Sequence, residues 1–349
     1  GKIGEDNVFL KKRTCMRILF AFVLSTFIAF FANAQNPSFK TLESFDAIFA
    51  RAKKENKPIF FEAYLPNCSH CMAYDVTLKN PKIKQFLDKN VLAYQLDISK
   101  RENGMFLRKQ KVYVPSTPSF IVLGPDGKPW DIQNMGDELN SVNGILATLQ
   151  KAIDPQKRDE ATLKKYLQGA REFNEMIGLA NFTRMTLDTV QNIEIVQQLA
   201  EALPKDKYET ELGFLLIRKV MLDNNNPLFD HFINNLANYR KSNDSVTVRQ
   251  AAENTLMSTL FSSRARKFSP DRIAGIKYGL QKIGLTDAQI ANRSIVLEVL
   301  IDLDKDQLDV ATNRIKSYYQ GKEIPAKEKE FWCKWLSRKS DPKNPCPLP

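Results

Sequence analysis

Two closely spaced cysteines stand where an apolar segment gives way to a helical pattern. Cys68-Ser69-His70-Cys71 follows the apolar segment Ile59 to Tyr64 and opens a segment with helical spacing of apolar residues. A cysteine at the start of a helix meets unpaired backbone N–H groups and the positive end of the helix dipole, which both favour thiolate. Thiolate is the attacking species in disulfide exchange. The spacing therefore predicts that Cys68 is the exposed nucleophile and that Cys71, one turn later, resolves the mixed disulfide.

Other chemistry fits the cysteine pair less well. A structural zinc site needs four ligands, usually including a second short-spaced pair, whereas His231, Cys333 and Cys346 lie far along the chain. Covalent haem attachment needs histidine directly after the second cysteine, where this chain has Met72. A purely structural disulfide across so short a loop would stabilise little on the chain-entropy model. We expect neither a metal nor an organic cofactor, and we assign no role to His231.

The N-terminal segment has the pattern of a secretory signal peptide. A basic stretch from Lys11 to Arg17 precedes the apolar residues 18–31, and small residues at 32–34 suit a cleavage site. The apolar run is short for a membrane span, which needs about 20 such residues, so export with cleavage is favoured over an uncleaved anchor. We predict that residues 1–34 are a signal peptide and that the mature chain is exported, in the periplasm. The residues before Met16 are interpreted as a vector or upstream extension.

Length and composition predict two folded units without general disorder. A chain of 349 residues exceeds the roughly 250 to 300 residues that a single core usually serves. Hydrophobic residues make up 43% and charged residues 26%, as in ordinary globular domains. The formal net charge is +11, but the basic segments have acidic or helix-forming neighbours, which favours solvated surface. Nucleic acid is therefore not expected as a partner, nor is a membrane once the signal is cleaved.

Residues 35–153 alternate helical and strand-like segments. Parallel crossovers come early in this order and a hairpin comes late, around the turn Gly124-Pro125-Asp126-Gly127. Such an order predicts a mixed sheet covered by helices on both faces, an α/β domain. The predicted helices are 38–56, 68–79, 82–88, 102–110 and 137–152, and the predicted strands are 59–64, 91–98 and the two arms of the hairpin.

Residues 154–349 show helical periods without strand-like alternation. Short breaks with proline, asparagine or glycine separate the periods, and helices joined by short turns pack antiparallel. No recurring signature of a helical repeat is present, so an all-α domain of irregular antiparallel helices is predicted. The predicted helices are 158–177, 186–202, 208–222, 227–239, 246–267, 270–283, 286–303, 308–319 and 326–337.

The segment around the cysteine pair resembles the thioredoxin family. That family has an acidic residue on the strand before the first cysteine, and Glu62 matches it. It also has a cis-proline facing the pair, preceded by a residue whose backbone pairs with substrate; "VPSTPSF" places Thr117 and Pro118 there. The resemblance covers about residues 38–152. Within the family, this segment is most similar to the exported thioredoxin-like domains of bacterial disulfide-handling systems.

The resemblance implies a thiol–disulfide oxidoreductase that acts on protein thiols or disulfides and depends on a redox partner protein. Glu62 would carry the proton of Cys71, the alternative being a strand carboxylate paired with a lysine. Histidine beside the second cysteine is similar to the strongly oxidising bacterial disulfide oxidases. His70 would lower the pKa of Cys68 and raise the reduction potential, unless it is simply an exposed turn residue.

Two questions concern the second domain. Cys333 and Cys346 are predicted to form a structural disulfide that ties the C-terminus to the last helix, since they lack the helix-opening context of a redox pair. A second redox pair is the alternative.

The alternative to enzymatic function is a binding or scaffold protein, in which the helical domain recruits partners and the thioredoxin-like domain is a docking module.

Overall fold

The computed structural model describes residues 39–337 and 346–349. The chain divides into two compact units. The first unit comprises the chain up to residue 110 and residues 114–154. The second comprises residues 111–113 and the chain from residue 155 onward. The predicted signal peptide lies outside the described residues. Within those residues, no helix has the length and apolar character that crossing a bilayer requires.

The first unit is built on a four-stranded mixed sheet. Its strands are β1 (Ile59–Tyr64), β2 (Leu92–Asp97), β3 (Ser119–Leu123) and β4 (Pro129–Asn134). They lie in the order β2-β1-β3-β4, with β1 parallel to β2 and antiparallel to β3, and β3 antiparallel to β4. The mixed sheet and the late hairpin predicted from the sequence are confirmed.

Helices cover both faces of this sheet, because successive side chains of β1 point to opposite sides. Phe60 lies in a core cluster with residues of one set of helices. Phe61 packs edge-on against Phe45 and Phe106 on the other side. The helices of the Phe60 side are α2 (Ser69–Leu78), α3 (Pro81–Asn90) and α5 (Val142–Ile153), and those of the Phe61 side are α1 (Phe45–Glu55) and α4 (Arg101–Lys109).

Two helices of this unit begin later than the sequence predicted. Helix α1 starts after Ser44, whose Oγ accepts a hydrogen bond from Ala47 N, because the preceding segment is extended and Lys40 bridges to Tyr94. Helix α5 starts at Val142, and the residues predicted as its first turn form a separate 3-10 turn, Asp137–Leu139. That turn becomes part of the candidate site.

The second unit is helical wherever its described residues form regular structure. The predicted helix over 158–177 is two helices, because Gly169 adopts a φ of +109° after the first. The predicted helix over 227–239 is also interrupted, at Asn235. The helices are α6 (Asp159–Leu167), α7 (Phe173–Met185), α8 (Thr189–Ala202), α9 (Glu211–Lys219), α10 (Pro227–Asn234), α11 (Leu236–Ser242), α12 (Ser245–Leu260), α13 (Pro270–Lys282), α14 (Asp287–Asp304), α15 (Leu308–Tyr319) and α16 (Ala326–Leu336).

A disulfide holds the last described residues of the chain on α16. Cys333 is bonded to Cys346, with their Cα atoms 5.2 Å apart. Leu348 is buried beside Trp332 and Leu336 in a small apolar cluster. The bond and the cluster together fix residues 346–349 against the end of the helical unit.

Candidate active site around the cysteine pair

Cys68 caps the N-terminus of α2. Its backbone is extended, and its Sγ accepts a hydrogen bond from the backbone N–H of Cys71 at 3.2 Å. The turn that leads from β1 is closed by a hydrogen bond from Cys68 N to Leu65 O. An apolar strand, a short turn and an N-cap cysteine thus place a partly exposed sulfur at the positive end of a helix.

A loop distant in sequence meets this sulfur. The Cys68 Sγ lies 3.6 Å from the carbonyl oxygen of Thr117 and 3.5 Å from its Oγ1. The Thr117–Pro118 peptide bond is cis, and β3 begins at the next residue, Ser119. Thr117, one of the two residues that the family resemblance assigned to substrate binding, therefore lies beside the first cysteine, and Pro118 follows it in the chain.

The two thiols differ in burial and in acidity. Burial acts to raise the pKa of Cys68, but hydrogen bonds from Cys71, Thr117 and the backbone N–H of His70 outweigh it and lower that pKa. Burial raises the pKa of Cys71, and its hydrogen bond to Cys68 raises it further. The first sulfur is thus suited to ionise, while the second remains a thiol behind it.

His70 has a partner that the sequence analysis did not identify. Its Nδ1 lies 2.7 Å from Oδ1 of Asp137, in the 3-10 turn after β4. The hydrogen bond and the charge of Asp137 raise the pKa of His70, and the charge of Cys68 adds to this effect. No local signal links residues 67 positions apart, and Asp137 was predicted to begin a helix instead.

Glu62 is buried on β1 and hydrogen-bonded to an amide. Burial is the main cause that raises its pKa to about 7; the hydrogen bond from Gln95 opposes this shift, and the charge of Asp75 adds to it. Gln95 Nε2 donates to Glu62 Oε2 at 2.9 Å and to Asp75 Oδ1 at 3.0 Å. The lysine considered from the sequence is thus replaced by a glutamine, which carries no charge.

Cysteine, histidine and the proline loop are brought together, but the second cysteine pair is not part of this site. Cys333 and Cys346 belong to the helical unit. Among residues 39–337 and 346–349, no three His, Cys, Asp or Glu side chains are grouped closely enough to bind a metal ion. The reactive groups that the site brings together are the two thiols, the His70 imidazole and the Asp137 carboxylate.

Part of the chain is similar to known proteins. A family model described as thioredoxin-like matches residues 40–125. A hyaluronoglucosaminidase of Streptococcus pyogenes phage H10403 is 33% identical over 105 residues, which cover 27% of this chain and 30% of that protein. The chain thus spans less than a third of the length of this curated relative.

Three solved structures are similar to about a third of the chain. A DsbH oxidoreductase is 14% identical over 35% of this chain and 89% of its own, with a TM-score of 0.29. A thioredoxin from Thermus thermophilus is 17% identical over 32% and 85%, with a TM-score of 0.27. A disulfide isomerase from Xylella fastidiosa Temecula1 is 16% identical over 36% and 92%, with a TM-score of 0.24.

The family match and the sheet order define the class. Residues 40–125 belong to a thioredoxin-like domain. An α-helical domain follows it in the chain. The resemblance inferred from the residues around the cysteine pair is confirmed at this level.

Proposed function

We propose that this protein is an exported thiol–disulfide oxidoreductase, which exchanges disulfides with protein substrates through Cys68 and Cys71. The asymmetry of the pair carries the proposal. Cys68 is partly exposed at a helix start with a lowered pKa, whereas Cys71 is buried with a raised one. Such a pair has one sulfur that substrates reach and one that resolves the mixed disulfide.

In the oxidising direction, a substrate thiolate attacks the Cys68 sulfur of the Cys68–Cys71 disulfide. The S–S bond breaks, and its electron pair leaves on Cys71, which takes up a proton. A second substrate thiolate then attacks the substrate sulfur of the mixed disulfide and expels Cys68 as a thiolate. The substrate loses two electrons and the protein gains them, so a redox partner protein must reoxidise the pair.

Three further groups have roles in this exchange. The Thr117 backbone, beside the Cys68 sulfur, pairs with an extended substrate segment as an added strand. Glu62, with a pKa raised by burial to about 7, exchanges the proton of Cys71. His70 stabilises the Cys68 thiolate as an imidazolium, which favours the reduced form and makes the pair more oxidising than an ordinary thioredoxin.

The proposed compartment is the periplasm. The basic, apolar and small-residue pattern of residues 1–34 is typical of a signal peptide. The Cys333–Cys346 disulfide suits an oxidising environment. Fractionation of cells that express the full chain tests this step, and recovery of the unprocessed chain with the cytoplasm would contradict it.

Trapping of the mixed disulfide tests the enzymatic proposal. The probe is unfolded ribonuclease whose cysteines carry thionitrobenzoate as mixed disulfides. The Cys68 thiolate of Cys71→Ser attacks a ribonuclease sulfur and thionitrobenzoate leaves, and the Cys68–ribonuclease disulfide should persist because residue 71 has no thiol to break it. The Cys68→Ser/Cys71→Ser variant is the matched control and should retain none. Equal retention by both variants would favour the alternative, a binding or scaffold protein in which the helical domain recruits partners.

The reduction potential tests the direction of electron flow. Equilibration of the wild-type chain with reduced and oxidised glutathione should give a potential above that of thioredoxin. A potential at or below that of thioredoxin would contradict an oxidising role and would indicate that the protein reduces its substrates.

A further inference from the structure

The turn that contains Asp137 is fixed to the helix that carries the cysteine pair. Tyr74, fully buried on α2, donates a hydrogen bond of 2.7 Å from its hydroxyl to the carbonyl oxygen of Gly136. Met135 N donates to the carbonyl oxygen of Pro118 at 3.0 Å. The end of β4 is thus tied both to α2 and to the proline loop, and Asp137 follows these anchors directly.

These anchors bring one carboxylate to the active-site imidazole. His70 and Tyr74 lie one turn apart on α2, on the same side of the helix, and they contact the consecutive residues Asp137 and Gly136. An ionised carboxylate accepts hydrogen bonds but donates none. Nδ1 of His70 therefore carries the proton of the 2.7 Å contact, and the ring has a defined orientation.

The exposure of this pair argues against a role in stability. The side chain of His70 is 58% exposed and that of Asp137 is 76% exposed, and such surface ion pairs contribute little to folding. The charged groups that act on His70 are Asp137 in the turn and Cys68 at the start of α2. Glu138, the next residue of the turn, acts on Tyr74, as Asp137 also does.

We propose that Asp137 is a positioning residue, which holds the His70 imidazole through Nδ1 so that the Cys68 thiolate is stabilised to a higher pH. This inference rests on the proposed function and adds a residue to it. A protonated His70 stabilises the reduced protein, because only that form contains the Cys68 thiolate. By raising the pKa of His70, Asp137 extends the pH range over which the ring is protonated and the Cys68 thiolate is stabilised.

Replacement of Asp137 by asparagine separates charge from shape. The amide oxygen of Asn can still accept from Nδ1, but it brings no negative charge, so the ring should lose its proton at a lower pH. Where the ring is neutral, the thiolate loses its nearby cation. Where both proteins hold an imidazolium, the variant lacks the opposing carboxylate, so its thiolate is at least as stable as in wild type.

Titration of the histidine rings by NMR tests whether Asp137 raises the pKa of His70. The chain contains two histidines, so His70 is assigned by comparison with His70→Ala, and His231 in the helical unit serves as the internal reference. In the reduced full chain, Asp137→Asn should lower the midpoint of the His70 titration. Glu138→Gln, in the same turn, is the control and should leave it in place. An unmoved His70 midpoint in Asp137→Asn overturns the proposal.

Equilibration with glutathione at two pH values tests whether this effect on His70 makes the cysteine pair more oxidising. At a pH between the His70 midpoints of Asp137→Asn and the wild type, the equilibrium constant for oxidation of glutathione by the pair should fall about threefold to tenfold in the variant, since a change of one in the pKa of Cys68 corresponds to a factor of ten in thiolate. At pH 5.5 it should be unchanged or higher. A fall of the same size at both pH values indicates a merely structural role and overturns the proposal. Absence of exchange in the wild type overturns the proposed function itself, whereas wild-type exchange with an unmoved His70 titration in the variant overturns only the role of Asp137.

Discussion

Gln95 lies opposite Glu62 in the parallel pairing of β1 with β2, and its amide donates a 2.9 Å hydrogen bond to the Glu62 carboxylate. The same amide bridges to Asp75 on α2. An amide can bond to a carboxylate but cannot balance its charge. Burial therefore prevails and raises the pKa of Glu62 to about 7, so the group can hold or release a proton near neutral pH.

Glu62 should make the protein less stable as the pH rises. Its pKa is about 7 in the folded chain against a reference value of 4.5, so between these values the folded state binds a proton that the unfolded state has lost. The free energy of unfolding therefore falls across this range and levels off above pH 7. Between pH 5 and pH 7.5, ionisation of Glu62 should lower the free energy of unfolding by about 2 kcal/mol. Glu62→Gln should abolish this decrease.

Urea unfolding of the wild type and Glu62→Gln at both pH values measures this difference. Glu102→Gln, at an exposed carboxylate on α4, is the control and should follow the wild type. If the wild type and Glu62→Gln lose stability in parallel from pH 5 to pH 7.5, Glu62 is not a buried acid with a raised pKa.

Gln95→Lys should move the pH dependence of resolution. An ammonium group near Glu62 should lower the pKa of that carboxyl group, so Glu62 would accept the proton of Cys71 at lower pH. A chromophoric thiol such as thionitrobenzoate, attached to Cys68, reports the rate at which Cys71 displaces it. The rise of this rate with pH should shift to lower pH in Gln95→Lys and remain in place in Gln133→Lys, on β4. The same profile in all three proteins would show that Glu62 does not carry the proton.

Local patterns in the sequence were sufficient for the frame of the site. An apolar strand followed by a cysteine at a helix start is recognisable within a dozen or so residues, as is the hairpin after Pro118. The mixed sheet follows from the order of such segments. The contacts of Glu62 with Gln95 and of His70 with Asp137 join segments 33 and 67 residues apart. Strand register and turn placement determine them, and neither is written in a local pattern.

Helix breaks show the same limit. Gly169 has a φ of +109° and follows the end of a helix. The helical spacing of apolar residues continues past it in the sequence, so one helix was predicted where two exist. The residues predicted as the first turn of α5 form a 3-10 turn because Ser141, whose Oγ accepts from Gly144 N, caps the α-helix later. That difference concealed Asp137, since a helical residue would not have been expected to reach His70.

Thr117→Val should make Cys68 less acidic. The hydroxyl of Thr117 lies 3.5 Å from the Cys68 sulfur and is one cause of its lowered pKa. Valine has nearly the same shape but cannot donate, so the thiolate fraction should fall about threefold at any pH below the pKa of Cys68. The rate of alkylation of Cys68, followed by mass spectrometry of its peptide, measures this fraction. Ser116→Ala, in the same loop, is the control, and an equal decrease in both variants would attribute the effect to loop disorder.

The Cys333–Cys346 disulfide should stabilise the helical unit without taking part in exchange. It closes a loop with a sequence separation of 13, which on the chain-entropy model is worth about 3 kcal/mol. Cys333→Ser/Cys346→Ser should therefore unfold at lower urea concentration by tryptophan fluorescence, since Trp332 lies next to the bond and in the cluster with Leu348. The equilibrium of Cys68 and Cys71 with glutathione should stay the same in this variant. A shift of that equilibrium, with unfolding unchanged, would identify Cys333 and Cys346 as a second redox pair, because a purely structural bond alters stability and leaves the potential of a separate dithiol alone.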